Sequence, residues 1–252
     1  MRFEREIEVA RRTAREAAAL ALRYQEGIEA EEKPDRSPVT RADRECERLI
    51  AAALQEAFPE DGILGEEGSA IDSRSGRRWI IDPIDGTRDY VRGNPLWGPL
   101  IALEDRGEVV AAVVHFPSLS GATYWASRGG GAFRDGNRLR VSSKTSAAES
   151  VLCINQFNKL DASRLPGLLS WMSRFWAVRN LGGTPDAMMV ASGQAEIWIE
   201  PSASPWDFAA PKIIVEEAGG VFRNFDGGHS IYAGNAIALT QALAPEIDAF
   251  LA

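Results

Sequence analysis

Two carboxylates three residues apart, Asp82 and Asp85, follow the apolar run Trp79-Ile80-Ile81. Pro83 turns the chain between them, and Gly86-Thr87 leads into Arg88-Asp89-Tyr90-Val91, which can begin a helix. Acids at the end of a buried strand converge on one point, and hard cations such as Mg²⁺ prefer oxygen ligands of this kind. Backbone N–H groups of Gly86 and Thr87 at a helix start would face the same point and suit a phosphate. The same residues also fit a capped turn, with Asp85 as N-cap and Asp82 as a surface acid. Gly65-Glu66-Glu67-Gly68 sets two acids between glycines after Ile63-Leu64, which fits further ligands or an exposed acidic turn. Pro205-Trp206-Asp207 puts another acid ahead of Phe208-Ala209-Ala210, where it fits a ligand or a helix N-cap.

The elements that must position these acids read as follows. Residues 2–26 form a helix, with Phe3, Ile7, Ala10, Ala14, Ala17 and Ala21 at three- and four-residue steps. Residues 31–38 are polar, interrupted by Pro34 and Pro38, and read as a loop. Thr40-Arg41-Ala42-Asp43 fits a capping box that opens a second helix, whose apolar stripe is Cys46, Leu49, Ile50, Ala53, Leu54 and Ala57. Residues 79–81, 100–103, 109–116, 122–125 and 139–141 are strand candidates separated by short turns, so they predict an antiparallel meander. Beyond residue 146 the pattern alternates: strands at 151–156, 196–199 and 221–225, helices at 165–175, 185–192, 208–218 and 245–251. Pro211 is tolerable in its helix only near the first turn. These readings predict helices layered on sheets, with an N-terminal α+β half over 1–145 and a C-terminal α/β half over 146–252.

The 252 residues carry 28 Lys+Arg against 36 Asp+Glu, a formal net charge of −8 that argues against nucleic-acid binding. No apolar stretch is long enough to span a membrane, and the charged N-terminus does not read as a signal peptide. Cys46 and Cys153 are too few for a disulfide framework, so a cytoplasmic protein with buried thiols is expected. Residues for cysteine-, aspartyl- or histidine-based phosphoryl transfer are missing. Neither cysteine is followed six positions later by arginine, since Ala52 and Lys159 stand there. The acid pair is Asp82-x-x-Asp85 rather than Asp-x-Asp, and neither His115 nor His229 lies in Arg-His-Gly.

Taken together, these segments resemble the inositol monophosphatase family of Mg²⁺-dependent, lithium-sensitive phosphatases. The resemblance rests on Val39-Thr40-Arg41-Ala42-Asp43, Gly65-Glu66-Glu67, Trp79-Ile80-Ile81-Asp82-Pro83-Ile84-Asp85-Gly86-Thr87, and Trp206-Asp207-Phe208-Ala209-Ala210 with Ile214-Val215-Glu216-Glu217-Ala218-Gly219-Gly220, in the family's order. It implies a layered αβαβα sandwich, a homodimer, and two or three Mg²⁺ ions. The implied ligands are Glu66, Asp82, Asp85, Asp207 and the backbone carbonyl of Ile84. Asp43, Glu66 and Thr87 are the implied catalytic residues, Asp43 and Thr87 orienting a metal-activated water for in-line attack. Asp85, Gly86, Thr87, Arg92, Glu200 and Asp207 are the implied phosphate and substrate contacts. Glu67 would support Glu66 from behind.

Several details are more similar to the histidinol-phosphatase branch. They are Lys33-Pro34-Asp35 with Ser37-Pro38-Val39-Thr40, the run Asp61-Gly62-Ile63-Leu64 before Gly65, and Val91-Arg92-Gly93-Asn94-Pro95-Leu96-Trp97. Gly182-Gly183-Thr184 departs from that branch, which has an acid after the glycine, and Asp89-Tyr90 replaces its Asn-Phe. The expected substrate is histidinol phosphate, with inositol monophosphate or a broader range of sugar and nucleotide phosphates as alternatives. A non-catalytic anion- or protein-binding member is the reading from another class; a broken ligand set would favour it.

Overall fold

The computed structural model describes residues 2–34 and 37–251; Asp35 and Arg36 of the polar segment lie outside them. Helix α1 (Glu4–Tyr24) is followed by strands β1 (Ala30–Glu32) and β2 (Pro38–Thr40) and helix α2 (Arg41–Ala57). Strands β3 (Gly62–Gly65), β4 (Ala70–Ile71) and β5 (Arg77–Asp85) lead to the short helix α3 (Thr87–Val91). Strands β6 (Gly98–Asp105), β7 (Glu108–Phe116), β8 (Ala122–Ser127), β9 (Gly131–Arg134) and β10 (Asn137–Arg138) come next. The remainder alternates: β11 (Val151–Ile154), α4 (Leu165–Met172), β12 (Ala177–Arg179), α5 (Thr184–Ala191) and β13 (Ile197–Glu200), then α6 (Pro205–Glu217), β14 (Val221–Arg223), β15 (Ala236–Leu239) and α7 (Ala244–Leu251).

An eight-stranded sheet runs β10-β9-β8-β7-β6-β5-β3-β4, and a five-stranded sheet runs β12-β11-β13-β15-β14. From β5 to β10 neighbouring strands are consecutive and antiparallel, the meander expected. Its β6–β7 turn is Arg106-Gly107 with φ of 52° and 83°, both left-handed as a two-residue type I′ turn requires.

Side-chain alternation on the strands makes the layers. Trp79, Ile81, Ile101 and Leu103 face outward onto Ala14 of α1 and Cys46, Ile50 and Leu54 of α2. Ile80, Leu100 and Ala102 face inward onto Ala187 and Met188 of α5 and Ala209, Ile213 and Ile214 of α6. The second sheet covers the same two helices with Cys153, Trp198 and Ala238. Its other face, Leu152, Ile154, Ile197 and Ile199, is closed by Leu168 and Trp171 of α4 and Ile247 of α7. The result is the expected α-β-α-β-α sandwich, with α5 and α6 as the shared middle layer.

Three local expectations change. Residues 31–38 begin and end in strand rather than loop, because Ala30 pairs with Thr40 and Glu32 with Pro38. An exposed ribbon pairs through its backbone and leaves no apolar alternation to read. Residues 139–141 are not a strand: pairing stops at Arg138, and the Val141 N–H donates to the Ala218 carbonyl beyond α6. Leu139 and Val141 are apolar because they pack into the middle layer. Helix α6 starts at Pro205, so Pro211 sits in its second turn rather than its first. Proline has no N–H, so the Asp207 carbonyl loses its donor four residues on.

Candidate active site

A defect in β5 brings the first two acids together. Asp82 pairs with Leu100 and Asp85 with Gly98, so three steps on β5 oppose two on β6. Residues three apart in a regular strand point to opposite faces; a bulge puts both on one. Pro83, which has no ladder donor to lose, fits this place. Ile84 turns into the outer core beside Ile81. Asp82 and Asp85 turn to the cleft, where they meet Asp207 from the first turn of α6. One carboxylate oxygen from each of the three lies within 4.8 Å of the others.

The alternative readings of these acids give way. Asp82 is not a surface acid: it is 2% exposed and its Oδ1 accepts the Ile84 N–H at 3.0 Å. Asp85 does not cap α3, whose N-cap is Gly86 with no side-chain cap bond. Gly86 has φ +84°, and a Cβ there would stand 2.5 Å from the Leu96 carbonyl oxygen, so only glycine fits. The N-cap of α6 is Ser204, and Asp207 is held behind it by the Ser204 N–H at 2.7 Å from Oδ2. Glu66 lines the same cleft on the loop after β3, its Oε1 2.9 Å from Lys33 Nζ. Lys33 also meets Glu67 at 2.5 Å, so Glu67 holds the lysine beside Glu66.

The cluster strains electrostatically. Burial, then Glu66, Asp85 and Asp207, push the Asp82 carboxyl well above the ordinary range. Burial pushes Asp85 up to about 7, with Thr184 opposing and Glu66 and Asp89 adding. Burial and the Asp85 charge raise Asp207, while the Ser204 N–H works against them. The Asp85 Oδ2 is buried without any hydrogen-bond partner. Crowded carboxylates with an orphaned oxygen fit a divalent cation, which supplies the missing partner and the opposite charge.

Thr87 and Asp43 stand just behind. Thr87 Oγ1 is 3.2 Å from Asp43 Oδ1 and 3.1 Å from the Ile84 carbonyl oxygen, so its one proton serves one acceptor at a time. Asp43 is fully buried, and its Oδ2 accepts the Thr40 N–H at 2.8 Å and the Thr40 hydroxyl at 2.6 Å. It is therefore both the capping-box residue of α2 and the partner of Thr87. Burial raises its carboxyl above the ordinary range, and the Thr40 bonds oppose this.

The cleft encloses about 540 Å³, and its far wall carries Asn155, Gln156, Gly182, Gly183 and Glu200. Glu200 Oε2 accepts Asn155 Nδ2 at 2.8 Å and Oε1 accepts Gln156 Nε2 at 3.0 Å. Burial pushes its carboxyl up to about 8 against those bonds. Strands β11 and β13 are parallel, so their C-terminal ends bring Asn155 and Glu200 side by side. Sequence reading found Glu200 and missed Asn155 and Gln156; adjacent parallel strand ends were the available signal. Arg92, expected to meet substrate, is not among the residues lining the cleft. It is exposed at the C-cap of α3, which carries it roughly 7 Å along the axis beyond Thr87.

Converging carboxylates on a layered α-β-α-β-α frame suit metal-assisted hydrolysis, and the relatives of this chain are phosphoric monoester hydrolases. The chain belongs to the inositol monophosphatase family, whose model matches residues 3–251. It is 40% identical over 235 residues to a histidinol-phosphatase of Chlorobaculum parvum, covering 92% of this chain and 90% of that protein. It is 36% identical over 225 residues to an inositol-1-monophosphatase of Mesorhizobium japonicum, covering 84% of each. The crystal structure of extragenic suppressor protein suhB from Bartonella henselae superposes with a TM-score of 0.92 at 29% identity over 98% of both chains.

Proposed function

We propose that the chain hydrolyses histidinol phosphate with Mg²⁺ as its cofactor. The observation that carries the metal reading is the convergence of Asp82, Asp85 and Asp207 around an orphaned carboxylate oxygen. These three, with Glu66 and the Ile84 carbonyl, would hold the ions. Bound there, divalent cations lower the pKa of a water and stabilise the leaving ester oxygen. The Thr87 hydroxyl can donate its hydrogen bond to Asp43, which would leave its oxygen lone pair free to accept a hydrogen bond from the attacking water. Asp43, locked by Thr40, holds that hydroxyl in one orientation. Gly86 and Thr87 N–H groups bind the phosphate, and the water attacks in line with the ester oxygen.

The relative named histidinol-phosphatase supports the substrate, as do two carboxyl groups that flank the Gly182-Gly183 turn. Asp89 Oδ2 lies 3.7 Å from where a Cβ of Gly182 would be, and Glu200 Oε2 lies 3.9 Å from that of Gly183. The two glycines leave open floor between two carboxyl groups, room for a cationic amine. Asp89 thus stands where it can replace the acid that the branch has at the position of Gly183. Inositol 1-phosphate is the second reading, because Glu200 can equally accept hydroxyl protons. We further propose a cytoplasmic homodimer. No helix among the described residues is long and apolar enough to cross a membrane, and both cysteines are free and buried. Leu165 and Leu169, one turn apart on α4, are 44% and 76% exposed, an apolar face suited to a second copy.

A phosphate-release panel with Mg²⁺ tests the reading, comparing histidinol phosphate, inositol 1-phosphate and adenosine 3′,5′-bisphosphate. The expected order of kcat/KM is the order given. Preference for the bisphosphate overturns the substrate, and release that survives chelation overturns the metal.

A further inference from the structure

Glu47 lies on α2 one turn after Asp43, on the face that packs toward the cleft, and is 2% exposed. A carboxylate so deep must be fully satisfied to be tolerated. Both of its oxygens are engaged, and by backbone rather than by a cation. Oε2 accepts the Glu67 N–H at 2.7 Å and Oε1 accepts the Ser69 N–H at 2.8 Å. Both donors belong to the loop that carries Glu66, which immediately precedes the first of them. Its backbone is also tied by the Gly65 N–H to the Ser69 carbonyl at 2.8 Å and the Glu66 N–H to the Ile81 carbonyl at 3.1 Å, while Lys33 holds the Glu66 and Glu67 side chains. The approach is close: a Cβ on Gly65 would stand 2.4 Å from the Glu47 carboxyl carbon.

We propose that Glu47 is a positioning residue of the metal centre, holding the Gly65–Ser69 loop so that Glu66 meets Asp82. The two donors explain why the residue is an acid. A carboxylate offers two acceptor oxygens to two N–H groups, whereas a glutamine would turn its own NH₂ toward one of them. Helix α2 then governs two sides of the site from one face, Asp43 fixing Thr87 and Glu47 fixing Glu66. Partners behind metal ligands commonly change metal affinity by about 10–100-fold.

This inference rests on the metal-dependent reading above, and calorimetric titration of the whole chain with Mg²⁺ separates the two. If the wild-type chain takes up no Mg²⁺, that reading fails and the inference with it. Given wild-type binding, Glu47→Gln is expected to raise the Mg²⁺ Kd about tenfold. Its thermal midpoint in chelator should stay within a few degrees of wild type. Saturating Mg²⁺ should return most of the phosphate release. Unchanged Mg²⁺ affinity in Glu47→Gln overturns the proposal, whether or not the midpoint falls, since a purely structural role moves only the midpoint. If Glu47→Gln does not fold, Gly65→Ala presses on the same carboxylate from the loop side. Weaker Mg²⁺ binding there supports the proposal, and wild-type affinity overturns it.

Discussion

The wall formed by the β5 bulge, α3, the Glu66 loop and the first turns of α2 and α6 is held by hydrogen bonds behind its acids: Ile84 N–H on Asp82, Ser204 N–H on Asp207, Thr40 and Thr87 on Asp43. The opposite wall, at the ends of β11 and β13 and the Gly182-Gly183 turn, presents open floor beside Asn155 and Glu200, and Asp89 of α3 faces that floor from the first wall. The first wall is built to fix geometry and the second to leave space. Chemistry common to many esters needs a rigid frame, while discrimination among esters needs only the side chains around a cavity.

Substitutions can separate the walls, beginning with the largest effect. Asp85→Asn should abolish phosphate release from every ester, by more than the roughly 10–100-fold typical of partners behind a ligand. Comparable loss on histidinol phosphate and inositol 1-phosphate is the expected signature; loss confined to one would erase the contrast. Thr87→Val should cost about 10²-fold in kcat on both esters with little change in KM, as loss of a proton-handling group does. On the far wall, Glu200→Gln should change the ratio of kcat/KM between the two esters by roughly tenfold, the scale of one charged contact. An unchanged ratio would remove Glu200 from recognition. Asp89→Asn should lower kcat/KM for histidinol phosphate several-fold and leave inositol 1-phosphate nearly alone, which steady-state kinetics on the pair reads directly.

The smallest effect is on stability. Asp85 and Glu200 have folded-state values of about 7 and about 8, raised chiefly by burial. Groups raised in this way bind more protons folded than unfolded, so stability falls as pH rises from the ordinary carboxyl range through those values. In chelator, the thermal midpoint should drop by about 10 °C or more between pH 5 and pH 8. Mg²⁺ should raise the midpoint more at pH 8 than at pH 6. A midpoint that rises over the same range would contradict the electrostatic account of the frame.

The same contrast explains what could be read from the chain. The frame uses residue types with few substitutes: Pro83 at a bulge, Gly86 where a Cβ would strike a carbonyl, acids in fixed order. These leave a pattern in one sequence, and the layered fold follows from apolar runs in β5, β6 and β7 that are buried on both faces. Asn155 and Gln156 leave none, because only the parallel pairing of β11 with β13 brings them to Glu200. The β1–β2 ribbon is invisible for a related reason, being joined by backbone. Glu47 was visible only as an acid one turn from Asp43, and its meaning depended on which loop lay beside it.

Helix α6 has one consequence for how the molecule can be taken apart. It lies beyond the 145/146 division, yet it covers the inner face of the eight-stranded sheet and delivers Asp207 to Asp82 and Asp85. A fragment ending at residue 145 would therefore expose Ile80, Leu100, Ala102 and Val114 to water and lack one ligand. We expect such a fragment to aggregate on expression, and to recover solubility only when the remainder of the chain is supplied alongside it.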